Sequence, residues 1–293
     1  FYMGMAMTDL QRHELAVEAY CRSIHLNASY SESYFRRGVI HLQHQRLELA
    51  IEDFAKVSEL VPYSAEAHYN RALAQHLLKR NEDAIASYNC CLQYQPTYVN
   101  ALKNCALAQS ELGLYTEAFE NYSTALVDCK LDDTTKLDIL MSRGQVCERS
   151  HDLDQALADY TEAIQLNPSF GRAHTCRGLL HIQRHDLTSA LADLSSALLL
   201  EPENARAWNN RGTAYLQLNQ LDLALADFEQ SISLCPTFVK ALRNRGKVFY
   251  LQQDLPSALH SLTTAIQQPT SNGDPECFLL RGSVQHALGH SFK

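Results

Sequence analysis

Small side chains return along this chain at a near-constant step: Gly4, Gly38, Ala72, Ala106, Gly144, Gly178, Gly212, Gly246 and Gly282, at intervals of 34, 34, 34, 38, 34, 34, 34 and 36 residues. Twelve residues after each of the first eight stands an alanine, at Ala16, Ala50, Ala84, Ala118, Ala156, Ala190, Ala224 and Ala258. Four residues further comes a large apolar side chain: Tyr20, Phe54, Tyr88, Tyr122, Tyr160, Leu194, Phe228 or Leu262. Ala125, Ala163, Ala197 and Ala265 add the next turn in four repeats. Apolar residues at i, i+4 and i+7 mark one face of a helix. Five repeats end on a proline, at Pro62, Pro96, Pro168, Pro202 and Pro236, a residue that cannot continue a helix. Self-similarity at this period signals a stacked repeat. Each unit is predicted to be two antiparallel helices closed by a proline.

The clearest unit, Ala205 to Thr237, reads ARAWNNRGTAYLQLNQLDLALADFEQSISLCPT, with Trp208, Gly212, Tyr215, Ala224, Phe228 and Pro236 as its fixed points. In spacing and residue type it resembles the tetratricopeptide repeat, a helix-turn-helix unit of about 34 residues. The resemblance runs through the whole chain. It implies an all-α fold, an α-solenoid of tetratricopeptide helix-turn-helix repeats forming a right-handed superhelix. The expected organisation is a single array over residues 1–293, with a partial unit at 1–30, units at 31–64, 65–98, 99–136, 137–170, 171–204, 205–238 and 239–274, and a second partial unit at 275–293. Because both ends fall inside a unit, the chain is expected to be a fragment of something longer.

Two interruptions stand out. The stretch LDDTTK from Leu131 lacks the proline and adds four residues, roughly one helical turn, which predicts a longer helix there. PTSNGDP, from Pro269 to Pro275, has turn composition. It ends on Asp274 and Pro275, suited to be N-cap and first helical residue.

Composition narrows the function. A formal net charge of −8 gives no general attraction to nucleic acid or to anionic membranes, and no apolar run approaches the ~20 residues that span a bilayer. Nine cysteines without a CxxC pair read as reduced, largely buried thiols. No Gly-rich phosphate loop, GxSxG or HExxH occurs. His41 and His44 share a helix face but lack further ligands at supporting spacing. No catalytic, cofactor-binding or metal-ligating residue is assigned; the chain is expected not to be an enzyme and to need no cofactor.

An arginine precedes most of the small residues, at Arg37, Arg71, Arg143, Arg177, Arg211, Arg245 and Arg281, while Asp53, Asp159, Asp193 and Asp227 precede the large residue of the second helix. Through the middle of the chain they alternate as Arg143, Asp159, Arg177, Asp193, Arg211, Asp227 and Arg245. This is a structural ladder of charge-assisted pairs. Spacings of 16 and 18 residues fit equally well, so pairing within a unit and pairing between successive units both remain open.

In the family, first helices line a concave groove, with repeat positions 2, 5, 6, 9, 12 and 13 turned to a ligand. Carried over by position, the resemblance implies a partner-binding groove of Glu32, Phe35, Val39, Glu66, Tyr69, Asn70, Leu73, Lys103, Asn104, Arg172, Arg206, Asn209, Asn210, Lys240, Arg243, Asn244 and Lys247. The groove is expected to change from apolar and acidic to basic along the chain. Lys103 matches one position of the family's clamp for acidic chaperone tails, but Leu107 replaces the paired asparagine, so that clamp is not expected. The column Asn70, Asn104, Asn210 and Asn244 is similar to repeats that hold extended peptide backbones, interrupted by Ser142 and Cys176.

The expected function is a non-catalytic protein-protein interaction scaffold holding a peptide or helix in its concave groove. The partner would be a protein or peptide, with an acidic segment favoured by the basic end, inside a multiprotein complex, with no nucleic acid and no direct membrane insertion. Alternatives are an architectural component of a large assembly such as a ciliary axoneme, and the substrate-recruiting region of a larger enzyme. A cytoplasmic setting is expected, and the NRG and ALADF wording and high Cys and His content extend that to a ciliary one.

Overall fold

The computed structural model describes residues 1–127, 131–269 and 274–289, and among these every regular element is an α-helix. The backbone divides into two compact units, Phe1–Ala156 and Leu157–Lys293. In the first, helices α1 (Tyr2–Asp9) and α2 (His13–Leu26), α3 (Ser31–Gln43) and α4 (Leu47–Leu60), α5 (Ala65–Leu77) and α6 (Asn81–Tyr94), and α7 (Val99–Glu111) and α8 (Tyr115–Leu126) form four hairpins, followed by α9 (Asp133–Arg149). Helix α10 (Leu153–Leu166) runs across the division. The second unit continues with the hairpins α11 (Gly171–Gln183) and α12 (Leu187–Leu200), α13 (Ala205–Gln217) and α14 (Leu221–Leu234), and α15 (Val239–Leu251) and α16 (Leu255–Gln267), and then α17 (Pro275–Ala287).

First helices begin at Ser31, Ala65, Val99, Gly171, Ala205 and Val239, the starts expected from the repeat frame. The exception is α9, which begins at Asp133 and has 17 residues against the usual 13. The four inserted residues add the extra turn at its front, where the Asp132 carboxylate accepts the Thr135 amide at 2.8 Å and caps free N–H groups. The turn expected over Pro269–Pro275 falls on residues 270–273, outside the described residues. Beyond it, the Asp274 carboxylate accepts the Glu276 amide at 3.0 Å, with Pro275 opening α17.

The sharp turn inside each hairpin uses one left-handed residue. Gln11, Gln45, Lys79, His151, His185, Asn219 and Gln253 have φ between 58° and 65°, and Gly113 and Gly289 occupy the same place at 80° and 75°. At Gln45 the Arg46 amide reaches His41 O at 2.8 Å and the Gln45 amide reaches Leu42 O at 3.1 Å, the paired bonds of a Schellman stop. Sequence reasoning missed this column because side chains other than glycine fill most of it.

The recurrent small residue is where the two helices of a hairpin touch. A Cβ built on Gly212 would lie 2.8 Å from Phe228 Cε1 and 3.2 Å from the Ala224 carbonyl. Gly178 and Gly246 stand 2.8 Å from Leu194 and Leu262 by the same measure. The fully buried Phe54, Tyr88, Tyr122, Tyr160 and Phe228 each contribute about 2–3 kcal/mol by leaving water. The core is a string of small clusters, such as Ala50, Phe54 and Ala74 or Ala224, Phe228 and Val248, each closed by its own hairpin and the next helix. First helices also touch across repeats, α3 with α5 and α5 with α7 in one unit, and α11 with α13 and α13 with α15 in the other. Within each unit this sets their outward faces side by side.

Candidate functional site

The arginines ahead of the small residues hold carboxylates of their own hairpin. Arg37 binds Asp53 through Nε and Nη2 at 3.0 and 2.6 Å, Arg177 binds Asp193 at 2.7 and 2.7 Å, and Arg211 binds Asp227 at 2.8 and 2.8 Å. The 16-residue spacing is therefore the carboxylate pairing, and each pair is a two-pronged, charge-assisted clip. Hydrogen bonding to Asp53 and Asp227 raises the Arg37 and Arg211 guanidinium pKa values above their ordinary range. Where serine replaces aspartate the arginine remains: Arg71 donates to Ser87 at 3.1 Å and Arg245 to Ser261 at 3.2 Å.

The remaining guanidinium nitrogen reaches back one repeat to a neutral group. Arg37 Nη1 meets Cys21 Sγ at 3.0 Å, Arg177 Nη1 meets Thr161 Oγ1 at 3.2 Å, and Arg211 Nη1 meets Ser195 Oγ at 3.4 Å, each 16 residues earlier. Arg143 reaches Ser123 at 3.0 Å across 20 residues, the same step lengthened by the four-residue insertion. A second set of contacts closes the loops between repeats, with ring nitrogens of His68, His174 and Trp208 2.8–3.1 Å from the carbonyls of Pro62, Pro168 and Pro202. These networks tie each first helix to its neighbours.

In the first unit that face is mixed. Phe35 is half-buried with its ring edge-on to Phe54, and Val39 packs in the same cluster. Glu32 pairs with Arg36 at 2.7 Å, and with Phe35 and the exposed Glu66 they border a pocket of about 330 Å³. Tyr69 lies tilted against Tyr98, with ring centroids 5.0 Å apart, and accepts the Asn104 amide at 3.2 Å; burial raises its phenol pKa. Asn70 donates to Glu66 O at 2.9 Å, while Leu73 and Lys103 are half-buried nearby on the same helix faces.

In the second unit the face is basic. Arg172, Arg206, Lys240 and Lys247 are exposed, and none has an ion-pair partner among the described residues. Asn210 and Asn244 are half-buried between them. Two expected groove residues are otherwise engaged. Asn209 is only 5% exposed, because its Oδ1 accepts the Asn244 amide at 3.1 Å, so it joins α13 to α15 instead of facing outward. Arg243 is held by Asp274 at 2.8 Å and Glu276 at 2.7 Å, acidic partners from the following repeat that neutralise it. Asn244, Lys247, Leu279 and Ser283 border a pocket of about 360 Å³ there.

Among the described residues no group of three or more His, Cys, Asp or Glu side chains is placed to hold a metal ion, and no helix is long and apolar enough to cross a membrane.

Comparison with known proteins agrees with this architecture. Four tetratricopeptide repeat family models match, over residues 4–65, 65–98, 138–170 and 178–241. No curated protein sequence matches significantly. Among solved structures, a tetratricopeptide repeat protein from Parabacteroides merdae is similar with a TM-score of 0.65 at 17% identity, covering 87% of this chain and 98% of its own. YrrB, a repeat protein with an unusual peptide-binding site, has a TM-score of 0.55 at 23% identity, over 66% of this chain and 97% of its own. The Cut9–Hcn1 hetero-tetramer of the APC/C has a TM-score of 0.60 at 15% identity, over 93% of this chain and 52% of the matched chain. At these identities the likeness is one of fold. With the repeat frame, the hairpins and the family models in agreement, the chain belongs to the tetratricopeptide repeat family.

Proposed function

We propose that the chain is a protein-protein interaction scaffold, without catalysis of its own, that seats a peptide on the outward face of its first helices. The observation that carries this reading is the contrast on α11, α13 and α15: Arg177 and Arg211 are clipped to buried aspartates, whereas Arg172, Arg206 and Lys240 on the same helices are exposed and unengaged. Fold maintenance does not require these exposed cations. The peptide-binding site of YrrB supports the reading by analogy of fold.

Selection of a random peptide library against the chain, followed by hydrogen exchange with and without an enriched peptide, tests it. Protection is expected on the first helices. Protection confined to the second helices, or no enrichment, would refute it. A second, architectural reading has one observation in its favour, the leucines Leu15, Leu49 and Leu223, 43–51% exposed at equivalent points of α2, α4 and α14. The same exchange experiment, with ligand protection at these leucines, would favour it.

A further inference from the structure

If the first-helix face is a peptide seat, the geometry points to its ligand in the second unit: an extended peptide carrying an anionic side chain at every third residue, crossing α11, α13 and α15. Arg172, Arg206 and Lys240 stand at the same repeat position on these three helices, all exposed. The helices touch side by side, which puts their axes about 8–10 Å apart. An extended chain advances about 3.3 Å per residue, so about three residues carry it from one cation to the next. Anions at i, i+3 and i+6 then meet Arg172, Arg206 and Lys240 in turn.

Charge complementarity selects the class of partner. The chain holds 33 acidic against 25 basic residues, yet repeat positions 2, 5, 6 and 9 of α11, α13 and α15 contain no acid, and Lys247 adds a fourth exposed cation. The equivalent second positions in the first unit are Glu32, Glu66, Asn100 and Asp138, and the three acids among them would repel the same ligand. The Asn244 amide donates to Asn209 at 3.1 Å and to Thr213 at 3.3 Å. This fixes its orientation and leaves Oδ1 as an acceptor for a ligand backbone N–H. None of these twelve positions carries an aromatic ring on which bases could stack, so the face suits a peptide better than a single-stranded nucleic acid.

Fluorescence anisotropy on the full chain decides the matter. The probes are peptides of one composition with glutamates at every third, every second or consecutive positions, a phosphoserine version of the first, a neutral peptide, and a single-stranded oligonucleotide of equal charge. The every-third peptides are expected to bind about tenfold tighter than the others, with affinity falling as salt rises. Arg206→Glu with Lys240→Glu should weaken them roughly 10- to 100-fold, while Arg22→Glu on α2 leaves them unchanged. Tighter binding of the phosphoserine or of the glutamate version identifies phosphate or carboxylate as the preferred anion, and either supports the inference. Equal affinity at all spacings, tighter binding of the oligonucleotide, or indifference to the charge reversal overturns it. A neutral peptide that binds this face when no acidic one does removes the anionic ligand and keeps the peptide seat; failure of every peptide removes both.

Discussion

Replacing Arg211 with alanine tests whether the arginine clips hold the repeats together. The substitution removes two hydrogen bonds of 2.8 Å to Asp227, whose side chain is 6% exposed, and leaves that carboxylate buried without a cation. An orphaned buried charge costs about 3–5 kcal/mol. Arg211 itself is 19% exposed, so water can enter the vacated space, and the lower end, about 3 kcal/mol, is expected. Loss of the guanidinium from above the Trp208 ring, 4.8 Å away, adds about 0.5–1 kcal/mol. Arg245→Ala is the internal control. Its partner Ser261 is neutral and still donates to Ser257 O at 2.9 Å, so the expected loss is only about 1 kcal/mol. Urea unfolding followed by far-UV circular dichroism measures both. A double-mutant cycle should show coupling of about 1–3 kcal/mol between Arg211 and Asp227, and less than about 0.5 kcal/mol between Arg211 and Asp193. Equal losses for Arg211→Ala and Arg245→Ala, or stronger coupling to Asp193, would refute the reasoning.

Other positions give sharper single tests. Gly212→Ala should destabilise by about 1–3 kcal/mol, since the added methyl meets Phe228 and the Ala224 carbonyl; an unchanged urea midpoint would contradict the packing. Gln45→Gly and His185→Gly, at left-handed turns, should each stabilise by about 0.5–1 kcal/mol, and a fall in midpoint would show that the side chains hold those turns. Burial pushes the Cys91 thiol up to about 11 and Cys105 up to about 12, whereas Cys21 is exposed. At mildly alkaline pH, maleimide should label Cys21 quickly and the other two only on unfolding, which mass spectrometry of the labelled peptides can read.

The hairpins were legible because burial at a helix contact demands a small residue opposite a large one, and that demand repeats with the chain. The inserted turn was legible for the same reason: four extra residues before Leu137 could join a helix without disturbing the frame, and α9 took them. Partner choice was not. Periodicity places Asn209 and Asn210 on adjacent faces of α13, but only packing against α15 decides that Asn209 is buried against Asn244. Likewise Arg243 reads as a free cation until α17 brings Asp274 and Glu276 against it from 31 and 33 residues away. The two carboxylate spacings of the ladder differed by only two residues, and the guanidinium's position above its own hairpin resolved them.

Because each clip carries its cation and its anion in the same hairpin and offers the preceding repeat only a neutral contact, a repeat is a charge-neutral cassette at this contact. Excising residues 171–204 would remove Arg177 together with Asp193 and join α10 directly to α13. Arg211 would then find Thr161 where Ser195 had been, a hydroxyl for a hydroxyl. No buried charge of the clip would be stranded at the new junction, so arrays of this kind can lengthen or shorten by whole repeats without first repairing their core electrostatics.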